Sequence, residues 1–204
     1  MDVILTPFSA LFLSLFAVAS LAVFFKLRSH RPVYLLDFAL FKPPFKYRVP
    51  YGAAVEYAHL LLPPKSAYFT ERIFERSGIG EETGLPPCSH YLPPEPTLEG
   101  SHEEADLVIF TAIDEALRKT GLDVKEVDVL IVNCNSFFPM PSLTAKVVNR
   151  YKLRSDVRSF NLSGMGCSCG PISVGLAADL LKGHPESIAL IVSTEIITSP
   201  AWYI

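Results

Sequence analysis

The sequence predicts an α/β fold with a mostly parallel sheet, and three observations support this. Segments with helical periodicity alternate with short apolar runs over residues 101–195. Two of those runs, VDVLIVNC and SIALIVSTE, contain the continuous apolar stretches VLIV and IALIV, as in strands that are buried on both faces. A helix-length segment separates successive runs, which is the connection that parallel strands need. A chain of 204 residues has room for one such domain and an appendage.

The N-terminal segment is the most apolar part of the chain. Residues 3–25 contain no charged side chain. This stretch is long enough to cross a bilayer core, which needs about 20 apolar residues in a helix. Lys26, Arg28 and Arg31 follow, so the positive-inside rule places the rest of the chain in the cytosol. A cleaved signal peptide would need a basic start and a shorter apolar core. We therefore predict a transmembrane anchor over residues 1–30.

Residues 31–66 form a predicted membrane-proximal segment. Its FKPPFKYRVP stretch is proline-rich, basic and aromatic, which fits either contact with an anionic leaflet or an ordinary linker. The run VEYAHLLLPP is too short to span a bilayer. A globular part is predicted from residue 67 to 204. It opens with a helix that carries Phe69, Ile73 and Phe74 at helical spacing and ends at Gly78, and a long Gly/Pro-rich loop follows.

The regular pattern begins at residue 101. Ser101 and Glu104 have the spacing of a capping box, and Gly121 would end this helix. Its apolar face would comprise Leu107, Phe110, Ile113 and Leu117. The strand VDVLIVNC follows. The later segments are predicted in order as helix, strand, helix ended by Gly183, and strand: SLTAKVVNRYKL, VRSFNL, PISVGLAADLLKG and SIALIVSTE.

Charge and cysteine usage exclude several functions. The net charge of −3 gives no electrostatic basis for nucleic-acid binding. Cys88, Cys134, Cys167 and Cys169 are too few and too scattered for a disulfide framework, and they suit a reducing compartment. No second Cys/His pair lies at ligand spacing from Cys167 and Cys169, so we predict no metal.

The stretch NLSGMGCSCG, residues 161–170, lies where a predicted strand meets a helix. One interpretation is phosphate binding, because Gly164, Gly166 and Gly170 resemble a dinucleotide fingerprint. Glu195 ends the next strand, where a ribose-binding acid would lie. Against this, such a fingerprint usually occupies the first strand–helix unit, and a phosphate needs no thiol.

The other interpretation is a reactive cysteine. Free N–H groups and the positive end of the helix dipole favour the thiolate at a helix N-terminus. Small neighbours let a carbonyl approach, and the backbone N–H of the cysteine can donate to an oxyanion. Cys167 is placed for this at or just before the first turn, whereas Cys169 would point elsewhere. A third interpretation is that both thiols are small buried hydrophobes.

A family resemblance bears on this choice. FNLSGMGCSCGPISVGLAADLL resembles the active-site segment of the plant 3-ketoacyl-CoA synthases, which condense acyl groups in very-long-chain fatty acid elongation. RSGIGEETGLPP, EADLVIFTAIDEALRKTG, VDVLIVNCNSFFPMPSLTAKVVNRYKLR and IVSTEII resemble the same family in order and spacing. The resemblance covers roughly residues 70–204.

The resemblance implies a thiolase-like fold of two similar α/β halves and a Cys-His-Asn triad whose nucleophile falls on Cys167. It implies a decarboxylative Claisen condensation of long-chain acyl-CoA with malonyl-CoA without a cofactor. The family usually has a small non-thiol residue at the position of Cys169. Asn133, Asn135 and Glu195 lie on family-like segments, and we interpret them as structural because nothing in the sequence assigns them chemistry.

The resemblance also sets expectations for the whole protein. The family's His and Asn lie further along than SPAWYI, so residues 67–204 would be the N-terminal half of the condensing domain, inactive in the condensation as written. Such an enzyme would reside in the endoplasmic reticulum membrane as a homodimer with other elongase subunits. Two alternatives are a membrane-tethered nucleotide-binding oxidoreductase that uses Gly164, Gly166 and Gly170, and a non-catalytic subunit that pairs with full-length synthases.

Overall fold

The structure is a computed structural model that describes residues 12, 14–21, 23, 32–90, 96–184 and 186–198. Helices and strands alternate from residue 98 onward, as the sequence predicts. The elements are α1 Tyr51–Leu61, α2 Pro64–Ser77, α3 Leu98–Thr120, β1 Val127–Asn133, α4 Leu143–Tyr151, β2 Arg158–Leu162, α5 Cys169–Lys182 and β3 Ile188–Ser193.

The three strands form one parallel sheet in the order β2-β1-β3. Asn133 at the end of β1 lies opposite Leu162 of β2 and Ser193 of β3. The residues that follow each strand therefore meet at one edge of the sheet, which we call the carboxyl edge. The opposite edge, where Val127 lies opposite Ile188, is called the amino edge.

The central strand β1 is buried on both faces, as its continuous apolar sequence predicts. Successive side chains of a strand point to opposite faces. Leu130 and Val132 pack in one core cluster with Ile109 and Ile113 of α3 and Val147 of α4. Val129 and Ile131 pack in a second cluster with Ala177 and its neighbours on α5. The sheet is therefore the middle of three layers, and burial of each such side chain contributes about 1.5–3 kcal/mol.

The start of α3 differs from the predicted capping box. The helix begins at Leu98, and the Thr97 hydroxyl caps it by accepting a hydrogen bond from the Gly100 N–H at 2.9 Å. Ser101 is buried inside the helix and donates to the Thr97 carbonyl. Glu104 accepts hydrogen bonds from the Ile197 and Thr198 N–H groups after β3. Threonine is a good cap in its own right, so the box spacing at residue 101 was misleading.

The buried face of α3 also differs in part. Ile113 is buried as predicted, and Phe110 and Leu117 pack at the edge of the core. Leu107, however, is 39% exposed. The sequence places Ala105 and Ile109 on the same face as Ile113, and these are buried. All three predicted glycine ends are confirmed as helix C-caps, with positive φ angles of 77° at Gly78 and 70° at Gly121 and a φ of −83° at Gly183.

The N-terminal prediction falls mostly outside the described residues. Residues 14–21 are helical, and no helix within the described ranges is long and apolar enough to cross a bilayer. The short apolar run in the membrane-proximal segment folds as α1, and α2 follows it after a brief break. The predicted loop after Gly78 contains a 3₁₀ turn, Pro87–His90, and a bridge between Arg48 and Gly84. Residues 91–95 lie outside the described ranges.

Candidate active site

The loop between β2 and α5 lies at the carboxyl edge and carries both cysteines of the GMGCSC motif. Gly164 and Gly166 have φ angles of 79° and 59°, in the left-handed region that L side chains rarely adopt. A Cβ atom at either position would meet no atom within 4 Å. The two glycines are therefore required by the turn of the backbone.

The two thiols occupy different environments. Cys167 is exposed and lies in a 3₁₀ turn, Gly166–Ser168, which leads directly into α5. Cys169 is the first residue of α5 and is 1% exposed. Its Sγ donates to Asn135 Oδ1 at 3.4 Å. Burial as a small hydrophobe thus describes Cys169, whereas only Cys167 is accessible to a substrate.

The helix behind Cys167 begins without a side-chain cap. Its first N–H groups and the positive end of its dipole lie next to the turn that carries the thiol. Within the turn, the Ser168 hydroxyl donates to the Met165 carbonyl at 2.6 Å. This arrangement places Cys167 just before the helix, where the sequence predicts a nucleophile.

Asn135, two residues after β1, holds the glycine-rich loop with both ends of its side-chain amide. Its Nδ2 donates to the Gly166 carbonyl at 2.8 Å, and its Oδ1 accepts from the Met165 N–H at 3.1 Å. The second Nδ2 proton goes to Glu195 Oε1 at 2.9 Å. With the Cys169 thiol on Oδ1, all the hydrogen-bonding capacity of this amide is used.

Glu195, two residues after β3, holds Asn135 and its neighbour in turn. The carboxylate accepts hydrogen bonds from the Asn135 N–H at 3.0 Å and the Ser136 N–H at 2.9 Å. It also accepts from the Ser136 hydroxyl at 2.7 Å. We call Asn135, Ser136, Glu195 and their hydrogen bonds the carboxyl-edge network. The network joins the ends of β1 and β3 to the loop that precedes Cys167.

The network keeps Glu195 ionised. Partial burial alone would raise the pKa of this carboxyl group. The hydrogen bonds from Asn135 and Ser136 outweigh burial, so the pKa lies below its usual value. Charge-assisted hydrogen bonds of this kind are stronger than neutral ones.

Most of the chain matches the model of a known protein family. Residues 24–204 match the model of the FAE1/type III polyketide synthase-like proteins. The chain belongs to this family. Its curated relatives include 3-ketoacyl-CoA synthase 6 of Arabidopsis thaliana, which is 54% identical over 93% of this chain and 38% of that protein. Another is 3-ketoacyl-CoA synthase 5 of the same plant, which is 51% identical over 93% of this chain and 39% of that protein. The chain thus spans about two fifths of the length of these relatives.

Solved structures show the fold of this FAE1/type III polyketide synthase-like chain. It is similar to the tetrahydroxynaphthalene synthase of Streptomyces coelicolor, a bacterial type III polyketide synthase. The TM-score is 0.65 at 24% identity, over 78% of this chain and 47% of that one. The type III polyketide synthase domain of Steely1 from Dictyostelium gives the same TM-score at 21% identity, over 82% and 48%. These likenesses confirm the predicted thiolase-like α/β fold.

The geometry of this family member argues against a dinucleotide site. Strand β1 lies between β2 and β3, so the strand before the glycines and the strand before Glu195 are not neighbours. They are separated by two inter-strand spacings, roughly 10 Å. In the dinucleotide fingerprint the glycine loop and the ribose-binding acid follow adjacent strands. The carboxylate of Glu195 is also occupied by Asn135 and Ser136.

The histidines in the described residues interact away from Cys167. His59 pairs with Glu71, His90 with the Leu85 carbonyl, and His102 packs edge-on against Phe137. The backbone N–H of His184 caps the far end of α5. No hydrogen bond within the described ranges joins one of these rings to Cys167. His30 lies outside those ranges.

A cavity of about 630 Å³ lies beside the network but does not include Cys167. It is bounded by the membrane-proximal segment, by the start of α3 and by the residues that follow β3. Its lining includes Phe41, Cys88 and Glu195. Across the described part of the chain, no group of three or more His, Cys, Asp or Glu side chains is placed to hold a metal ion.

The sequence predicts Cys167 as the nucleophile, and it did not reveal the hydrogen bonds that Asn135 and Glu195 make beside this residue. The structure confirms Asn133 as a packing residue, because its buried amide donates to Ser173 Oγ and accepts from Ser193 Oγ. Asn135 also contacts the loop that carries the thiol, and Glu195 holds Asn135. A signal was present, since each is a polar residue two positions after a parallel strand, and such positions meet at one edge.

Proposed function

We propose that this chain is the nucleophile-bearing portion of a 3-ketoacyl-CoA synthase and that Cys167 is its nucleophile. The observation that carries the proposal is the exposed Cys167 thiol in the turn before α5, on a loop held by the carboxyl-edge network. The likeness to 3-ketoacyl-CoA synthases 6 and 5 of Arabidopsis thaliana supports the reaction class.

The proposed reaction has two stages, with long-chain acyl-CoA and malonyl-CoA as substrates. The Cys167 thiolate attacks the carbonyl carbon of the acyl-CoA, a C–S bond forms, and the CoA thiolate leaves. Malonyl-CoA then loses CO₂, and the resulting carbanion attacks the acyl-enzyme carbonyl. A C–C bond forms, the Cys167 thiolate is released, and the product is a 3-oxoacyl-CoA two carbons longer. Covalent capture replaces one difficult bond formation with two easier steps.

The first stage can be measured on this chain alone. Incubation with palmitoyl-CoA followed by peptide mapping should find the acyl group on Cys167. Cys167→Ala should remove it. Cys169→Ala should retain most of it, because that thiol is buried and faces Asn135. Acylation of the Cys167→Ala variant at the rate of the wild type would contradict the assignment, as would a wild-type chain that is not acylated.

Membrane attachment is a second part of the proposal. The uncharged residues 3–25 and the basic residues after them would anchor the chain in the endoplasmic reticulum with its globular part cytosolic. Exposed apolar side chains on α1 and α2, among them Leu60, Leu61, Tyr68 and Phe69, would support contact with the bilayer. A glycosylation acceptor introduced near Thr97 should remain unmodified in microsomes. Efficient modification there would reverse the proposed topology.

Association is the third part. We propose a homodimer that works with other elongase subunits. The exposed apolar residues Phe138 and Met140, which follow β1 at the carboxyl edge, offer surface for such contacts. Sedimentation equilibrium in detergent would detect a dimer. A mass of one chain across the accessible concentration range would contradict it.

A further inference from the structure

The carboxyl-edge network does more than join strands, because it sets the orientation of the peptide group that precedes the thiol. The Gly166 carbonyl receives the Asn135 Nδ2–H at 2.8 Å. The bond between Gly166 and Cys167 is trans, and in a trans peptide the C=O and N–H point in nearly opposite directions. With its carbonyl turned to Asn135, this peptide points the Cys167 N–H away from the network.

The Gly164–Met165 peptide, two peptide groups earlier, is held by the other end of the same amide. Asn135 Oδ1 accepts the Met165 N–H at 3.1 Å. The left-handed Gly166 between these two contacts has φ 59°, so its backbone does not rest in the conformation that most residues prefer. The Cys169 N–H also donates to the Gly166 carbonyl within the 3₁₀ turn. The two hydrogen bonds from Asn135 add to this local contact and tie the turn to the end of β1.

Asn135 can act this way only if its own amide cannot rotate. Glu195 accepts the remaining Nδ2 proton and the backbone N–H groups of Asn135 and Ser136, so the carboxylate dictates which end of the amide donates. An amide turned by 180° would bring Oδ1 against Glu195 Oε1 and against the Gly166 carbonyl. The carboxylate thus selects the one orientation that holds the loop.

We propose that Asn135 and Glu195 are positioning residues that aim the Cys167 N–H at the oxyanion formed during acyl transfer. The inference rests on the proposed function of Cys167. Such N–H donors act on the oxygen of the tetrahedral intermediate, which exists in acyl transfer and not in simple alkylation. Loss of the network should consequently slow acylation of Cys167 far more than its alkylation.

The experiment measures two rates at Cys167 of the full 204-residue chain. One is acylation by palmitoyl-CoA and the other is alkylation by iodoacetamide, both followed by peptide mass mapping. Asn135→Asp keeps the side-chain shape but removes the donor to Gly166, and Glu195→Gln removes the charge that orients Asn135. Removal of an oxyanion donor costs about 100- to 1,000-fold, so misorientation should slow acylation roughly 10- to 100-fold. Alkylation should change by less than about threefold.

The matched control is Asp128→Asn. Asp128 is a carboxylate of the same sheet that accepts from the Ile188 N–H at 2.8 Å and from Arg154 at 2.7 Å, but it lies at the amino edge. Its loss should weaken the fold without changing the ratio of acylation to alkylation. In the double variant of Asn135 and Glu195 the ratio should equal that of the more severe single variant, because both act through one contact.

The outcomes separate this inference from the proposed function. A wild-type chain that palmitoyl-CoA does not acylate at Cys167 overturns both. Acylated wild type with equal losses of acylation and alkylation in the variants overturns the positioning role alone, as does an unchanged ratio. If Asn135→Asp does not fold, Asn135→Ala provides the same comparison without a second carboxylate beside Glu195.

Discussion

Two carboxylates lie at opposite edges of the same sheet and accept hydrogen bonds from different partners. Asp128 at the amino edge accepts from the Ile188 N–H and from Arg154, and so ties β1 to β3 and to the segment before β2. Glu195 at the carboxyl edge accepts from Asn135 and Ser136, which in turn hold the loop before Cys167. Burial would raise the pKa of both groups, and hydrogen bonds lower it in both.

The two carboxylates differ in the segments to which their hydrogen-bond partners belong. The partners of Asp128 lie in β3 and in the segment before β2, so its loss should lower only the stability of the fold. Glu195 holds Asn135, which holds the loop before Cys167. Its loss should therefore also slow acylation of the Cys167 thiol. The two carboxylates make the same type of interaction and differ in their position in the parallel sheet.

The largest expected effect comes from the core that both edges share. Leu130 is fully buried in β1 between the edges. Leu130→Ala should lower the free energy of unfolding by about 2–5 kcal/mol, because it removes buried methyl groups and leaves a cavity. Denaturant titration followed by circular dichroism measures this loss. A change below about 1 kcal/mol would show that the two edges do not depend on a common core.

A smaller and more even effect is expected from the two carboxylates. Asp128→Asn and Glu195→Gln should each lower the free energy of unfolding by about 1–3 kcal/mol, because backbone donors lose an ionised acceptor. Glu195 lies at the surface, so solvent should place it at the lower end of that range. The same titration measures both variants. If Glu195→Gln proved much the more destabilising, the two edges would differ in stability and not only in chemistry.

The glycines should separate backbone strain from crowding. Gly166→Ala should cost about 1–2 kcal/mol, because its φ of 59° disfavours an L side chain although the space is open. The matched control is Gly175→Ala inside α5, where the space is equally open. That change should stabilise the chain by about 0.5–1 kcal/mol, since alanine is the better helix former. Thermal unfolding gives both values, and equal signs would contradict the strain argument.

The smallest effect is a change in acid sensitivity. The folded-state pKa of Glu195 lies below its usual value, so its contribution is present above the usual range and lost as the pH falls through the folded pKa. Wild-type stability should therefore decline more steeply than that of Glu195→Gln below about pH 4.5. Urea titrations at a series of pH values test this. Parallel curves would show that the ionised form of Glu195 has no special role in the folded state.

The sequence alone determined the elements and the position of the thiol. The apolar stretch in β1, typical of a strand buried on both faces, and the alternation of helices and strands predicted the parallel sheet. Both signals are visible in the local periodicity of the sequence. The GMGC motif placed Cys167 before a helix, since glycine and helix-start signals are also local. It misjudged the start of α3, where Thr97 caps the helix instead of Ser101. Two acceptable caps close in sequence differ only by their tertiary contacts.

Tertiary structure decided the use of Asn135 and Glu195. They are 60 positions apart, and their contact depends on β3 pairing beside β1 in one register. That pairing is set by the packing of α3, α4 and α5 on the two faces of the sheet, which no local pattern encodes. The same packing left Cys167 exposed and buried Cys169, two residues away. The local sequence thus predicts the elements and the position of Cys167. The pairing of the strands determines which residues lie together near the thiol, because it brings Asn135 and Glu195 into contact.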